Sequence, residues 1–392
     1  MLKKIRIICG ILGLGVCAGV AAQYLLKEQN NQKIESKLNF ALPEEGIQTD
    51  EFSLRLFREA VLQSPGESVI LCPALVAEAL QQIKDLSAPP VQQEIQQQQL
   101  CHPTPEHTVT PRNVSLLAAD YNLNYAENYQ ELSLMRLPIR SNYPIALELI
   151  NAQLISESNV PRQPIADRKT IPLTAQFIAA IACGFSAELQ SPFLSANSVV
   201  GNFENADGSL PQISMMRVRA HFRYAKDSAG QWEVVALPLR PHPSGGGVPT
   251  VLLGILPTGD AEKMAASFTR EQLTAIRKEL LEATPRDCTV EFPQIIWSPE
   301  PRDITPLLQR LGLRQMFSRT ENNWIFSNQP LAMDAVLEKL HLEIISRPGH
   351  PDQQANPNNA AHTVTFNRPF IWMIGDLSTS AQPYFMGLLQ NM

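Results

Sequence analysis

Charge is what this sequence has least of. Asp, Glu, Lys and Arg make up only 18% of its 392 residues, against about 25% in an average protein. Acidic residues outnumber basic ones 38 to 32. Such a balance argues against a nucleic-acid partner, because phosphate binding needs a basic surface. Glycine is scarce as well. There are 19 Gly against 31 Pro, where roughly 7% and 5% are usual. That excludes collagen-like repeats and Gly/Ser linkers, and it predicts many rigid connections. No Gly-x-Ser-x-Gly elbow, HExxH or GxxxxGK[ST] motif occurs, and no cysteines form a CxxC pair.

The near misses carry no chemistry either. Gly245-Gly246-Gly247 lacks the lysine and the helix start of a phosphate loop and reads as a hairpin tip. Cys101, His102 and His107 offer no fourth metal ligand. Asp and Glu pairs are scattered, with none placed for acid–base work. The expectation is a protein with no catalytic residues, no metal and no cofactor.

What is present begins with 44% hydrophobic residues, ordinary for a folded protein and too many for a disordered one. Lys3, Lys4 and Arg6 precede an uncharged run, Ile7–Leu26, about long enough to span a bilayer. Two readings fit it: a signal peptide cleaved after Ala22, or an uncleaved anchor with Tyr24 at the interface. Either puts the rest of the chain outside the cytoplasm, in a periplasm, on a cell surface or secreted. Residues 1–27 are thus a signal or membrane anchor, 28–48 a polar tether and 49–392 one folded domain. Cys72 and Cys183 lie in apolar runs, which predicts buried free thiols, and spacing suggests no disulfide framework for the others.

Within the domain, apolar spacing predicts helices over Glu51–Val61, Pro73–Ile83, Ile145–Ile155, Ala261–Leu281 and Ile304–Leu311. The Gln- and Pro-rich residues 84–112 read as a loop or a poor helix. Strands are expected at Ser68–Leu71, Val114–Leu123, Phe177–Phe185, Ile213–Tyr224, Trp232–Leu239, Thr250–Leu256, Thr289–Trp297 and Phe370–Leu377. Strands in blocks, without βαβ alternation, indicate an α+β fold.

Several blocks, in order, resemble one family, the serpins. Glu67–Leu80 is similar to its strand-helix pattern NVxxSPxSIxxAL, and Gly184–Phe193 to its FKGxWxxPF strand end. Met215-Met216 with Phe222–Tyr224, Val235–Pro238 and Leu252–Pro257 resemble later family strands. Ile304–Ser318 is close to the family's LxxLGxxxxFS helix. Phe366–Phe370, Ile374–Asp376 and Phe385–Gly387 resemble its carboxy-terminal strands. The resemblance implies three β-sheets, about eight or nine helices, and an exposed loop between Ala335–Ile344 and Phe366. In inhibitory members that loop is bait. A serine or cysteine protease cuts it, is held as an acyl-enzyme, and is distorted when the loop enters the main sheet as an extra strand.

This sequence departs from that pattern where insertion is decided. The expected acidic pair, Gly-Thr and alanine run are replaced by Ile345–Asn359, which carries Pro348, Pro351 and Pro357. Proline cannot donate to a central strand ladder. Counting back from Phe366 puts the cut near Asn358–Asn359, whereas counting forward from Glu343 puts it near His362, so the loop is short. A polar gate beneath the sheet falls on Cys72, Leu75, Ile181 and Glu338, where family members carry Ser, Ser, Asn and His. Leu189 stands in place of the family's Trp. Mostly apolar packing is expected there, favouring a fixed sheet. The resemblance therefore implies a protein of the serine protease inhibitor superfamily with impaired or lost trapping. The alternatives are a non-inhibitory binding or structural module at the cell surface and, on an unrelated α+β fold, an exported enzyme.

Overall fold

The protein is described by a computed structural model over residues 51–100, 112–126, 133–240, 250–350, 354–376 and 383–392. In chain order these form α1 (Glu51–Gln63), β1 (Val69–Leu71), α2 (Pro73–Asp85), α3 (Pro89–Gln97), β2 (Arg112–Asp120), β3 (Met135–Leu137), α4 (Tyr143–Ser158), β4 (Phe177–Ser186), β5 (Val199–Asn202), β6 (Gln212–Lys226), β7 (Trp232–Pro238) and β8 (Thr250–Pro257). They continue with α5 (Ala261–Ala266), α6 (Arg270–Glu282), β9 (Arg286–Pro293), β10 (Ile295–Trp297), β11 (Arg302–Asp303), α7 (Thr305–Arg310), β12 (Ala335–Ile344), β13 (His362–Thr365), β14 (Phe370–Asp376) and β15 (Phe385–Leu389). All belong to one compact unit, Leu42–Met392. The α+β expectation holds. Seven α-helices stand among the described residues.

Local chemistry explains most of these elements. Pro73 and Pro89 sit in the first turns of α2 and α3, where a missing N–H costs nothing. The Gln-rich stretch is therefore a helix, held by buried Val91 and Ile95. The single helix expected over Ala261–Leu281 is two. Asp260 caps α5, and Thr269 opens α6 with a capping box to Gln272. The apolar run Thr289–Trp297 is likewise divided after Pro293, so that β9 and β10 serve different sheets. The run at 7–26, Cys101 with His102 and His107, Gly245–Gly247 and Pro351 lie outside the described residues. Among the described residues no helix is long and apolar enough to cross a membrane.

One sheet has the order β10–β12–β4–β2–β3, with β11 also on β12. The other strands run β1–β15–β14–β8–β7–β6–β9–β13, with β5 on β6. Strand β6 is a joint: Met215–Phe222 pairs with β9, and Arg223–Lys226 pairs with β7. The long ladder is thus two sheets sharing a strand, which makes three in all. The first sheet positions the site. Its central strand β4 (FIAAIACGFS) is buried on both faces as far as Phe185, as a chargeless run of small and apolar residues allows. On one face Ile178, Ala180 and Ala182 pack with Ala335 and Leu337 against Ala146, Ile150 and Leu154 of α4.

Helix α4 ends directly over β4. Asn159 closes the helix in the left-handed region at φ 56°. A Cβ added at Gly184 would lie 2.4 Å from the Asn159 carbonyl oxygen. Only glycine lets the helix end approach this closely. Gly184→Ala is expected to lower stability by about 3 kcal/mol, read as a fall in the urea midpoint at unchanged m-value.

Candidate functional site: the central slot and its loop

Strands β4 and β12 are parallel neighbours, paired from Ala335–Ile178 through Glu343–Ser186 without a break. Any strand added to the middle of this sheet would have to enter between them. Small residues let the two backbones lie flat together: Ala179, Ala180 and Ala182 on β4 are fully buried. Along its other edge β12 is held by the segment that follows β10. Lys339, 1% exposed, donates from Nζ to the Pro299 carbonyl at 2.7 Å. Burial holds its ammonium below the usual lysine range, with Glu300 opposing that shift. The Ile304 N–H donates to the Val336 carbonyl at 2.8 Å.

Beneath the slot lie the four gate positions. Cys72, Leu75 and Ile181 are fully buried and Glu338 is 2% exposed. Ile181 and Glu338 are direct register partners across the slot. Cys72 and Leu75 come from the start of α2, which packs under β2 and β4. Burial pushes the Cys183 thiol well above its ordinary range, and the neighbouring Cys72 and Glu338 act in the same direction.

Sequence reasoning missed the residue that makes this gate tenable. Arg302 of β11 donates to the Glu338 carboxylate from Nε at 2.8 Å and from Nη2 at 2.6 Å. The same Nη2 donates to the Ile70 carbonyl of β1 at 3.1 Å. Mostly apolar packing is expected there, and an ion pair on a buried carboxylate, bonded also to β1, is found. The available signal was Glu338 itself, because a carboxylate in a central strand requires a cation.

At the top of the slot the chain leaves β12 and turns aside. Arg347 forms a parallel bridge with Leu194. Its N–H donates to the Phe193 carbonyl at 2.8 Å, and its carbonyl accepts from the Ser195 N–H at 2.9 Å. The Arg347 guanidinium also pairs with Glu188. Pro348, exposed, follows at once. Leu189, where the family has Trp, is buried and bridged to Leu239.

Further on, the Gln354 side chain donates to the Pro192 carbonyl at 2.6 Å. Arg219 donates to the Asn356 carbonyl at 3.1 Å, and Thr289 to the Pro357 carbonyl at 2.6 Å. Pro357 is buried and opens a tight turn that exposes Asn358 and Asn359. His362 is not in the loop. It begins β13, paired with Cys288 of β9, and its ring lies 4.6 Å from that of Tyr224. Of the two candidate cut sites, only Asn358–Asn359 lies on exposed loop. Among the described residues no three His, Cys, Asp or Glu side chains are grouped as a metal would need.

Residues 117–392 match the family model described as Serpin (serine protease inhibitor). The chain belongs to the serpin family. Its fold is similar to that of uncleaved ovalbumin, at a TM-score of 0.74 and 16% identity over 88% of this chain and 98% of that one. It is also similar to Manduca sexta serpin-12, at a TM-score of 0.71 and 17% identity with the same coverage. No curated protein sequence matches the chain. In this serpin the slot between β4 and β12 is closed, its Glu338 is ion-paired to Arg302 of β11, and the chain after β12 is tied at Arg347 and at Asn356–Pro357.

The Arg302–Glu338 pair is open to a direct check. Arg302 is 37% exposed and Glu338 1% exposed by side chain, so solvent screens part of the attraction. Arg302→Met should still cost about 2 kcal/mol, because it leaves a buried carboxylate unpaired. Adding Glu338→Leu should recover most of that loss, as a urea double-mutant cycle would report.

Proposed function

We propose that this serpin has lost loop-insertion trapping and acts as a displayed, non-trapping member of the protease inhibitor superfamily. The supporting observation is a loop bonded to the body at Arg347 and again at Asn356–Pro357 before its exposed turn, and through β13 after it, beside a slot paired along its whole length. A protease reaching Asn358–Asn359 meets a substrate, or a surface it occupies reversibly, and is released. No catalytic group of the serpin takes part.

The energetics favour this reading. An inserted loop would place prolines among residues that must donate to β4 and β12 alternately. Each unsatisfied carbonyl left behind costs about 1–3 kcal/mol. Arg347, whose charge now pairs with Glu188 at the surface, would have to give up that partner. Freeing the loop would also break the bonds to Phe193, Ser195 and Pro192.

The test is incubation of the chain with a panel of serine and cysteine proteases, followed by denaturing electrophoresis. Cleavage near Asn358–Asn359 without a covalent complex is expected, and Glu188→Ala should speed that cleavage several-fold by releasing Arg347. A denaturant-stable complex with any protease would contradict the proposal.

We propose further that the domain sits outside the cytoplasm, joined by residues 28–48 to the apolar run at 7–26. Lys3, Lys4 and Arg6 before that run support this orientation. Mass spectrometry of the protein from its source cells should find either Gln23 as the first residue or the run retained in the membrane fraction. An intact chain in the cytoplasm would contradict it.

A further inference from the structure

The chain between β12 and β13 offers a protease few side chains to recognise. From Pro348 to Asn367 the sequence holds no Lys or Arg, and from Pro348 to Thr363 no Phe, Tyr, Trp, Leu, Ile, Met or Val. Arg347, the last basic residue before the turn, pairs with Glu188, is bridged to Leu194, and is followed by Pro348. Of the asparagines, Asn356 precedes Pro357, and its carbonyl accepts from Arg219. Asn358 and Asn359 are exposed, and neither precedes a proline. The alanines are less well placed. Ala360 is half-buried, and Ala361 runs straight into His362, the first residue of β13 on β9. The turn itself is held in place. The Asn358 N–H donates to Asn356 Oδ1 at 2.9 Å, and the Asn359 N–H to the Asn356 carbonyl at 3.2 Å.

We propose that the turn selects an asparagine-specific endopeptidase, one whose primary pocket takes a carboxamide side chain, at Asn358 or Asn359. A carboxamide presents an acceptor oxygen and two N–H donors. A pocket built to pair with them rejects a side chain that lacks them, because its own polar groups are then left unpaired. An acidic pocket made for Lys or Arg, or an apolar slot made for aromatic rings, finds no matching side chain in this turn. In the cut, the enzyme's nucleophile attacks the asparagine carbonyl carbon. The next residue leaves as an amine and takes up a proton. Water then releases the asparagine carboxylate and restores the nucleophile. A protease cleft binds its substrate as extended chain, so the turn must first give up its two bonds to Asn356. Those bonds slow the cut. The proposal rests on the reading that the loop is met as a substrate, but it names the enzyme by side-chain chemistry, which trapping would not alter.

The experiment treats the full folded chain with an asparagine-specific cysteine endopeptidase, trypsin, chymotrypsin or elastase, and locates each cut by mass spectrometry. The asparagine-specific enzyme is expected to cut after Asn358 or Asn359, and the other three to leave residues 348–361 intact. Replacing both residues, Asn358→Ala with Asn359→Ala, should slow that cut about 100-fold or more. Asn356→Ala, which removes the side-chain acceptor holding the turn, should speed it several-fold. Asn358→Lys should hand the site to trypsin. Faster cutting of residues 348–361 by trypsin, chymotrypsin or elastase would overturn the proposal. So would a turn that the asparagine-specific enzyme leaves whole in both the natural chain and Asn356→Ala, or a double alanine variant cut at the natural rate. A denaturant-stable complex at Asn358 or Asn359 would contradict the loss of trapping and leave the asparagine selectivity standing, so the two readings fail separately.

Discussion

The parallel pairing of β4 with β12 is the interaction on which the rest of the molecule depends. It closes the first sheet at its centre, forms the floor on which α4 ends, and sets the direction in which the chain leaves at Ile344. A parallel ladder is slightly weaker per residue than an antiparallel one, so what surrounds it matters. Here the surroundings all oppose opening. On one face α4 reaches Gly184 at a distance no other residue permits. Beneath the slot lie Ile181, Cys183 and the Arg302–Glu338 pair, and at the far edge Lys339 fastens β12 to Pro299.

The loop is better understood from the bonds it makes than from its prolines alone. Pro348 and Pro357 have no N–H to donate to a strand ladder, but they do not by themselves say where the segment goes. Arg347, Gln354 and the carbonyls of Asn356 and Pro357 answer that, each meeting a partner on the neighbouring sheet or on the chain after β4. These bonds hold the described parts of the segment against the body ahead of β13, and the Asn358–Asn359 turn between them and β13 is exposed to solvent.

How much of this could be read from the sequence follows from the range of each interaction. Strand β4 was legible because nine successive residues without a charge fit a strand buried on both faces, and α2 because Pro73 marks its start. The gate positions came from resemblance; of the four, Ile181 and Glu338 are register partners and all are buried. Arg302 did not emerge, because Pro301-Arg302-Asp303 looks like an ordinary loop and its partner lies 36 residues away. The loop's ties to Glu188, Pro192 and Phe193 were hidden for the same reason. The break after Pro293 was invisible because the residues on both sides of it share one apolar pattern.

Under the proposed function the loop stays outside the sheet even when freed at one end. The most direct test is the melting temperature of the chain nicked between Asn358 and Asn359, compared with the intact chain. Insertion would add a strand to the sheet and relieve stored strain, giving a large upward shift. A melting temperature unchanged or slightly lower after nicking is expected, and a large rise would contradict the loss of insertion.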